Sequence, residues 1–385
     1  MMHCPWMPET HVNMMAATGP MHDEPERHLQ WPEACFATEQ WPDVLEYPQM
    51  PLQAWMLQQH QQQLWQQQQQ LEVCANQGGS SQGNATHQFC AVETRRDVPK
   101  EACQDVVNLA TNSSHINWLK DSLKGSMEVK EHALACLSGS VVHLAFNAQG
   151  CRAVQLAFQV ADRQRGAALL AELTGHVQAA SRSPHANYVI QKAIEAMPPS
   201  PCSFMIEELR GVSAATARHR FGCRIICRLV EHMADSPPCV DLLVELLAEA
   251  GELCRHNFGH YVMECVLEHG GPEERGQLVQ AIIADLPNLA GHSCASHVIE
   301  AAFMHGSPEE QESVGAALLA QGSDSMVALA LTQFGSFSVR ALLRTRCDAA
   351  RASAEQLLRH GEVILQRNRY GRRVLQASQQ TAKDS

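Results

Sequence analysis

A six-residue block recurs seven times at nearly constant spacing, and this period constrains the fold more than any other property of the chain. The block is a small residue, two polar or planar residues, two mostly apolar residues and a mostly polar one. Its copies are GCRAVQ (150–155), ANYVIQ (186–191), GCRIIC (222–227), GHYVME (259–264), ASHVIE (295–300), GSFSVR (335–340) and GRRVLQ (371–376). They start 36, 36, 37, 36, 40 and 36 residues apart. Between them lie stripes with a helical rhythm, such as AALLAELTGHV (167–177) and CVDLLVELLAEAG (239–251). Turn signals separate the units: MPPSP at 197–201, DSPP at 235–238, GGPEE at 270–274 and GSPEE at 306–310. Proline followed by two glutamates suits a helix first turn. Strand signals are nearly absent. Helical units too small to bury a face alone stack into a solenoid. The single longer gap predicts a loop insertion near Gln321–Ser325, where GSDS supplies turn chemistry.

The rest of the chain is different. Residues 1–105 mix Pro, Met, Trp and His without period, then run through QQHQQQLWQQQQQ (58–70) and NQGGSSQGN (76–84). Such composition cannot bury enough apolar surface to offset the entropy of ordering, so a disordered, Gln-rich tail is predicted. Residues 106–138, with VVNLA and EHALACL, are predicted to be an N-terminal helical cap, and 139–385 the repeat domain. The formal charge is −12 over 385 residues, and residues 1–138 carry −9 of it. A general polyanion binder with a strongly basic surface is excluded; a nucleic-acid reader with a local basic stripe is not.

Other classes find little support. The fifteen cysteines are an odd number without a C-x-x-C pair, which predicts free thiols in a reducing compartment. Cys254 with His256, or His292 with Cys294, offers metal-ligand chemistry, but the spacings match no closed four-ligand site, so no metal is expected. There is no apolar run of about 18 residues, and MMHCPWMPETH does not read as a secretory signal. A cytoplasmic protein without membrane contact is expected. No phosphate loop, nucleophile elbow, H-E-x-x-H or paired-carboxylate motif occurs, so no catalytic residue, cofactor or small-molecule substrate is expected.

On a helix, the second and sixth block positions share a face and the third sits on the adjoining ridge, while the fourth and fifth point to the core. The third position reads Arg152, Tyr188, Arg224, Tyr261, His297, Phe337 and Arg373. Every one is aromatic or a planar cation. A ladder of flat groups is a stacking platform for bases. The flanking second and sixth positions are placed to touch base edges. They are Cys151/Gln155, Asn187/Gln191, Cys223/Cys227, His260/Glu264, Ser296/Glu300, Ser336/Arg340 and Arg372/Gln376. They vary from unit to unit, as a reader of successive different bases requires. The residue before each pair is Gly or Ala, which predicts close helix-to-helix approach on the narrow side of the stack.

The segments ANYVIQKAIE (186–195), FGCRIICRLVE (221–231) and FGHYVMECVLEHG (258–270) closely resemble the repeat of the Pumilio (PUF) family, and the resemblance runs over 139–376. It implies an all-α fold, a right-handed α-solenoid of three-helix repeats forming a crescent. It also implies single-stranded RNA as partner, one base per repeat on the concave face, with the 3′ end at the N-terminal repeats. The implied role is post-transcriptional regulation through mRNA 3′-untranslated regions: repression, decay or localisation, with deadenylase or translational-repressor proteins as further partners. The family's code makes Cys151/Gln155 an adenine pair, Asn187/Gln191 a uracil pair, Ser296/Glu300 a guanine pair and Ser336/Arg340 a cytosine pair. The pairs Cys223/Cys227, His260/Glu264 and Arg372/Gln376 depart from the pattern and leave their bases open, giving N-C-G-N-N-U-A from 5′ to 3′. The family usually has eight repeats; here the residues one period before Cys151, starting at His115, do not fit, and nine residues after Gln376 fall short of a full C-terminal cap. Two other readings share the helical period: an armadillo- or HEAT-like scaffold for proteins, which needs no flat group at every step, and a degenerate PUF-like ribosome-biogenesis factor, which needs no identifiable base pairs.

Overall fold

The computed structural model describes residues 113–384, all helix and connection. The predicted tail at 1–105 and residues 106–112 lie outside the described residues. Two helices come first, α1 (Ser113–Leu123) and α2 (Met127–Leu137). Six three-helix repeats follow, each a short helix, a block helix and an outer helix. Repeat 1 is α3 (Val141–Phe146), α4 (Gly150–Val160) and α5 (Arg163–Ala171); repeat 2 is α6 (Val177–Ala180), α7 (Ala186–Ala196) and α8 (Pro199–Leu209). Repeat 3 is α9 (Ser213–Ala217), α10 (Gly222–Met233) and α11 (Pro237–Leu247); repeat 4 is α12 (Ala250–Arg255), α13 (Gly259–His269) and α14 (Pro272–Ala284). Repeat 5 is α15 (Leu286–Leu289), α16 (Ala295–His305) and α17 (Pro308–Leu319); repeat 6 is α18 (Gly322–Ala330), α19 (Gly335–Leu343) and α20 (Asp348–Arg359). The seventh unit is α21 (Glu362–Arg367) and α22 (Arg369–Asp384).

Two layers result. Every block helix packs on the block helix of the next repeat, from α4 to α22, and the outer helices from α8 to α20 stack behind them. The fourth and fifth block positions form the seam. Val189/Ile190, Ile225/Ile226, Val262/Met263 and Val298/Ile299 are all buried in one continuous core. Pro199, Pro237, Pro272 and Pro308 start outer helices, where a missing N–H costs nothing. Ser307 and Glu310 close a capping box on α17.

A carboxylate ties each of the first three repeats together. Glu172 accepts from the amides of Gly139 and Val141 at 2.8 and 3.0 Å. Glu208 does the same for Gly175 and Val177 at 2.5 and 2.9 Å, and Glu245 for Gly211 and Ser213 at 2.8 and 2.9 Å. The outer helix thus caps the exposed amides of the short helix in its own repeat. Gly175 sits at φ +81°, a left-handed turn that an L side chain strains.

The longer gap between the fifth and sixth blocks is not a loop. The residues Gly322–Ser325 form the first turn of α18, which has nine residues where other short helices have four to six. The extra residues extend a helix, which satisfies their backbone groups internally. The blocks' glycines also serve a nearer purpose than expected. A Cβ on Gly150, Gly222, Gly335 or Gly371 would meet the carbonyl oxygen six residues earlier at 2.5–2.7 Å. The close approach is therefore between short and block helix of one repeat, not between repeats.

Candidate nucleic-acid interface

Each block helix starts from the same device. Three residues before each block, a side chain accepts from the first free amides: Asn147 Oδ1 from Gln149 and Gly150, both at 2.9 Å, and Ser183 Oγ from His185 and Ala186 at 3.2 and 3.0 Å. His219 Nδ1 accepts from Phe221 and Gly222, His256 Nδ1 from Phe258 and Gly259 at 3.1 and 3.2 Å, and His292 Nδ1 from Cys294 and Ala295. Thr332 Oγ1 caps Gly335 at 3.1 Å, and Asn368 Oδ1 caps Tyr370 and Gly371 at 2.7 and 3.1 Å. These are N-caps in all seven units. An imidazole accepts at Nδ1 only when neutral, with its proton on Nε2. Partial burial holds His219, His256 and His292 below the ordinary imidazole pKa, which favours that form. The two histidines considered as metal ligands, His256 and His292, are therefore committed to capping.

The caps start every block helix at the same register. None of the seven ladder side chains is sealed in the core: Tyr188, Arg224, Tyr261, His297 and Phe337 are half-buried, and Arg152 and Arg373 are exposed. Two neighbouring pairs of rungs touch. Arg224 Nη1 donates to Tyr188 Oη at 3.1 Å with its guanidinium over the ring, and the His297 and Phe337 rings lie 5.4 Å apart at 40°. His260 packs on Tyr261 at 4.0 Å, and Arg340 covers Phe337 at 5.0 Å. Between the last two rungs, Gln333, Phe337, Arg369, Tyr370 and Arg373 line a cavity of about 220 Å³, and Tyr370 Oη donates to Gln333 Oε1 at 3.3 Å.

The second block position is more structural than its variation implied. In six units it is buried and hydrogen-bonds back to its own turn. Cys151 and Cys223 donate to the carbonyls of Ala148 and Arg220, and Asn187 Nδ2 to Ser183 at 2.7 Å. His260 Nδ1 pairs with the carbonyl of His256 at 2.8 Å, and Ser296 and Ser336 donate to Ser293 and Gln333. Arg372 is the exception: it is exposed and donates to the carbonyl of Gln366.

The sixth position differs by repeat. Gln155 is half-buried and Gln376 exposed. Gln191 Nε2 donates to Asn187 Oδ1 at 2.9 Å, which fixes both amides. Cys227 is 1% exposed and donates to the carbonyl of Tyr261, so it faces the next helix rather than the surface. The Glu264 side chain is 11% exposed; desolvation, with Glu300 and Glu268 nearby, pushes its carboxyl up to about 8, so it is largely protonated at neutral pH. Burial likewise drives His260 and His297 down to about 4 and lifts Glu300. His260 Nε2 lies 3.9 Å from Glu264 Oε1, a neutral imidazole beside a neutral acid. Arg340 Nε donates to the carbonyl of Ser336 at 3.2 Å.

One further step was missed. The helix α1 packs on α4 as each block helix packs on the next. Its pattern of exposure repeats that of α4 at an offset of 35, not 36: Ile116 buried, Asn117 exposed, Leu119 buried, Lys120 half-buried, Ser122 and Leu123 buried, against Cys151, Arg152, Val154, Gln155, Ala157 and Phe158. Shifting the period by one residue would have found it.

Comparison with known proteins agrees with this geometry. The family profile described as PUF, the Pumilio-family RNA binding repeat, matches residues 140–174, 176–210, 216–237, 250–283 and 286–318. Five Pumilio-family repeats lie between residues 140 and 318. Its Pumilio repeats are 26% identical over 145 residues to a Pumilio domain-containing protein of Schizosaccharomyces pombe, covering 37% of this chain and 21% of that one. They are 23% identical over 189 residues to putative pumilio homolog 7, chloroplastic, of Arabidopsis thaliana, covering 46% and 29%. The matches thus span between a fifth and a third of these relatives. Among solved structures, PUF-8 in complex with PBE-RNA superposes with a TM-score of 0.66 at 20% identity, covering 73% of this chain and 83% of that one. The Puf3 RNA binding domain bound to a Cox17 RNA 3′ UTR recognition sequence gives 0.62 at 21%, covering 74% and 84%. These likenesses establish the fold of the Pumilio repeats.

Proposed function

We propose that this protein binds single-stranded RNA along its block-helix layer, one base per repeat, and regulates messenger RNA in the cytoplasm through 3′-untranslated sequences. The observation that carries the reading is the ladder: seven planar side chains at one helical register, none sealed in the core, above a seam of buried apolar pairs. Flat faces at one step per repeat accept any base by stacking, and the flanking side chains select among bases. The related structures bound to RNA support the same reading.

The side-chain chemistry refines the code. Asn187/Gln191 is held as a fixed amide pair for uracil. Ser296/Glu300 presents a carboxylate for guanine, and Ser336/Arg340 a cation for cytosine. With Cys227 turned away, repeat 3 holds its base by Tyr188 and Arg224 and tolerates several bases. The protonated Glu264 both donates and accepts, so repeat 4 does not copy the guanine preference of repeat 5. Deadenylase or repressor proteins are the partners such a reader would bring to a message. Selection from a random RNA pool with the purified chain tests the proposal: enrichment of N-C-G-N-N-U-A supports it, and retention of RNA without any base preference refutes it.

A further inference from the structure

A cluster unrelated to the ladder lies where the block helices of repeats 3 and 4 end. Cys265 and His269 stand four residues apart on α13, so they share a face. Glu231 comes across from α10. One donor atom from each of the three lies within 4.8 Å of the other two. Cys265 is fully buried, while the His269 side chain is 35% exposed, so the cluster runs from interior to surface. It opens beside a cavity of about 360 Å³ whose walls include Glu231, His232, Asp235 and His269. Arg228 donates to Glu231 Oε2, which leaves the second carboxylate oxygen, Oε1. Glu268 Oε2 stands 3.7 Å from His269 Nε2, in reach as a further donor or as the partner that fixes the ring.

The geometry points to a divalent transition-metal site of the zinc class, held by Glu231, Cys265 and His269 and joining repeat 3 to repeat 4. Thiolate, imidazole and carboxylate together are a zinc donor set, whereas calcium and magnesium take oxygen alone. Bond lengths of about 2.0–2.3 Å in a tetrahedral site require the donors to close by about 1 Å. His269 can supply this movement, since it is the last residue of its helix and lies at the surface. Coordination replaces the S–H bond of Cys265 with a metal–sulfur bond. The proton passes to solvent, and the thiol's hydrogen bond to the carbonyl of Cys227, 3.5 Å long, is given up. The fourth position falls to water or Glu268. No ladder residue is involved, so the site stands or falls apart from RNA binding.

The full chain, freed of metal by a chelator, is titrated with Co²⁺ as an optical probe and then with Zn²⁺. The expected result is a thiolate-to-cobalt absorption in the near ultraviolet that Zn²⁺ abolishes, together with an upward shift of the unfolding midpoint in Zn²⁺. Cys265→Ser removes the absorption, and His269→Gln weakens cobalt binding by about tenfold or more. Absence of the band in the parent chain, or a band unchanged in His269→Gln, overturns the site. Because His269 is at the surface, that variant decides the matter even if Cys265→Ser fails to fold.

Discussion

Arg224 reaches from repeat 3 back to repeat 2, where its Nη1 donates to the hydroxyl of Tyr188 at 3.1 Å. Two rungs of the ladder are thereby joined by a hydrogen bond and a cation–π contact at 5.8 Å. A base entering between them trades one flat partner for another. Tyr188→Ala and Tyr261→Ala are each expected to weaken RNA binding by about 1–3 kcal/mol, measured by fluorescence anisotropy. Tyr188→Phe keeps the stacking face and should bind nearly as the parent does. Unchanged affinity in both alanine variants would count against stacking.

Repeat 5 offers a test of base choice. Ser296 and Asn187 occupy the same position and both donate to a carbonyl of the preceding turn. An asparagine at 296 therefore has a structural precedent three repeats away. Ser296→Asn combined with Glu300→Gln should move the preferred base at that step from G towards U in RNA selection. Continued selection of G would refute the assignment.

The three capping histidines make the fold sensitive to acid. Their folded pKa values lie below the unfolded value, so the unfolded state binds more protons as pH falls below about 6.5, and stability is lost on that side. Protonation removes the Nδ1 acceptor and leaves two helix amides bare. His256→Asn, which copies the cap at Asn147, should reduce the drop in unfolding midpoint between pH 7.5 and pH 5. An identical drop in variant and parent would show that the caps do not set it.

Glu264 acts in the opposite direction. Its pKa rises from an ordinary 4.5 to about 8 on folding, so the folded state holds the extra proton across that window. Stability contributed by the neutral acid is lost as pH rises through about 8. Glu264→Gln should therefore flatten the decline in midpoint between pH 5 and pH 8, the window between its unfolded and folded values. It should also flatten the loss of RNA affinity expected when a new carboxylate appears beside Glu300. A decline as steep as the parent's would place the cause elsewhere.

Glu208 bridges the outer and short helices of repeat 2 through two amide hydrogen bonds. Glu208→Ala should cost about 0.5–2 kcal/mol in chemical denaturation, as lost helix caps do. Glu208→Asp is too short to reach both amides and should fall between. A cost below about 0.3 kcal/mol would show water replacing the carboxylate without penalty.

The fold was legible because one period organised everything else: Val189/Ile190 and Ile225/Ile226 are apolar at fixed offsets, and each lies in the seam. The ladder was legible for the same reason. The caps were not, because the seven positions use four residue types, Asn147 and Asn368, Ser183, Thr332, and His219, His256 and His292, alike only in an acceptor at the right height. The step at Asn117 was hidden by a one-residue change of period, which moves every side chain to a different face. The burial of Cys227 was hidden too. A cysteine at that position looks like a weak base contact until the carbonyl of Tyr261 is seen to hold it.

Because each repeat packs on the next one along the stack, load applied to this molecule is carried in series. Stretching or bending the stack distributes a small rotation over each seam instead of breaking any one of them. The pitch of the rungs is thus a compliant quantity, and a strand whose natural stride differs slightly from it can be matched by many small adjustments along the rod.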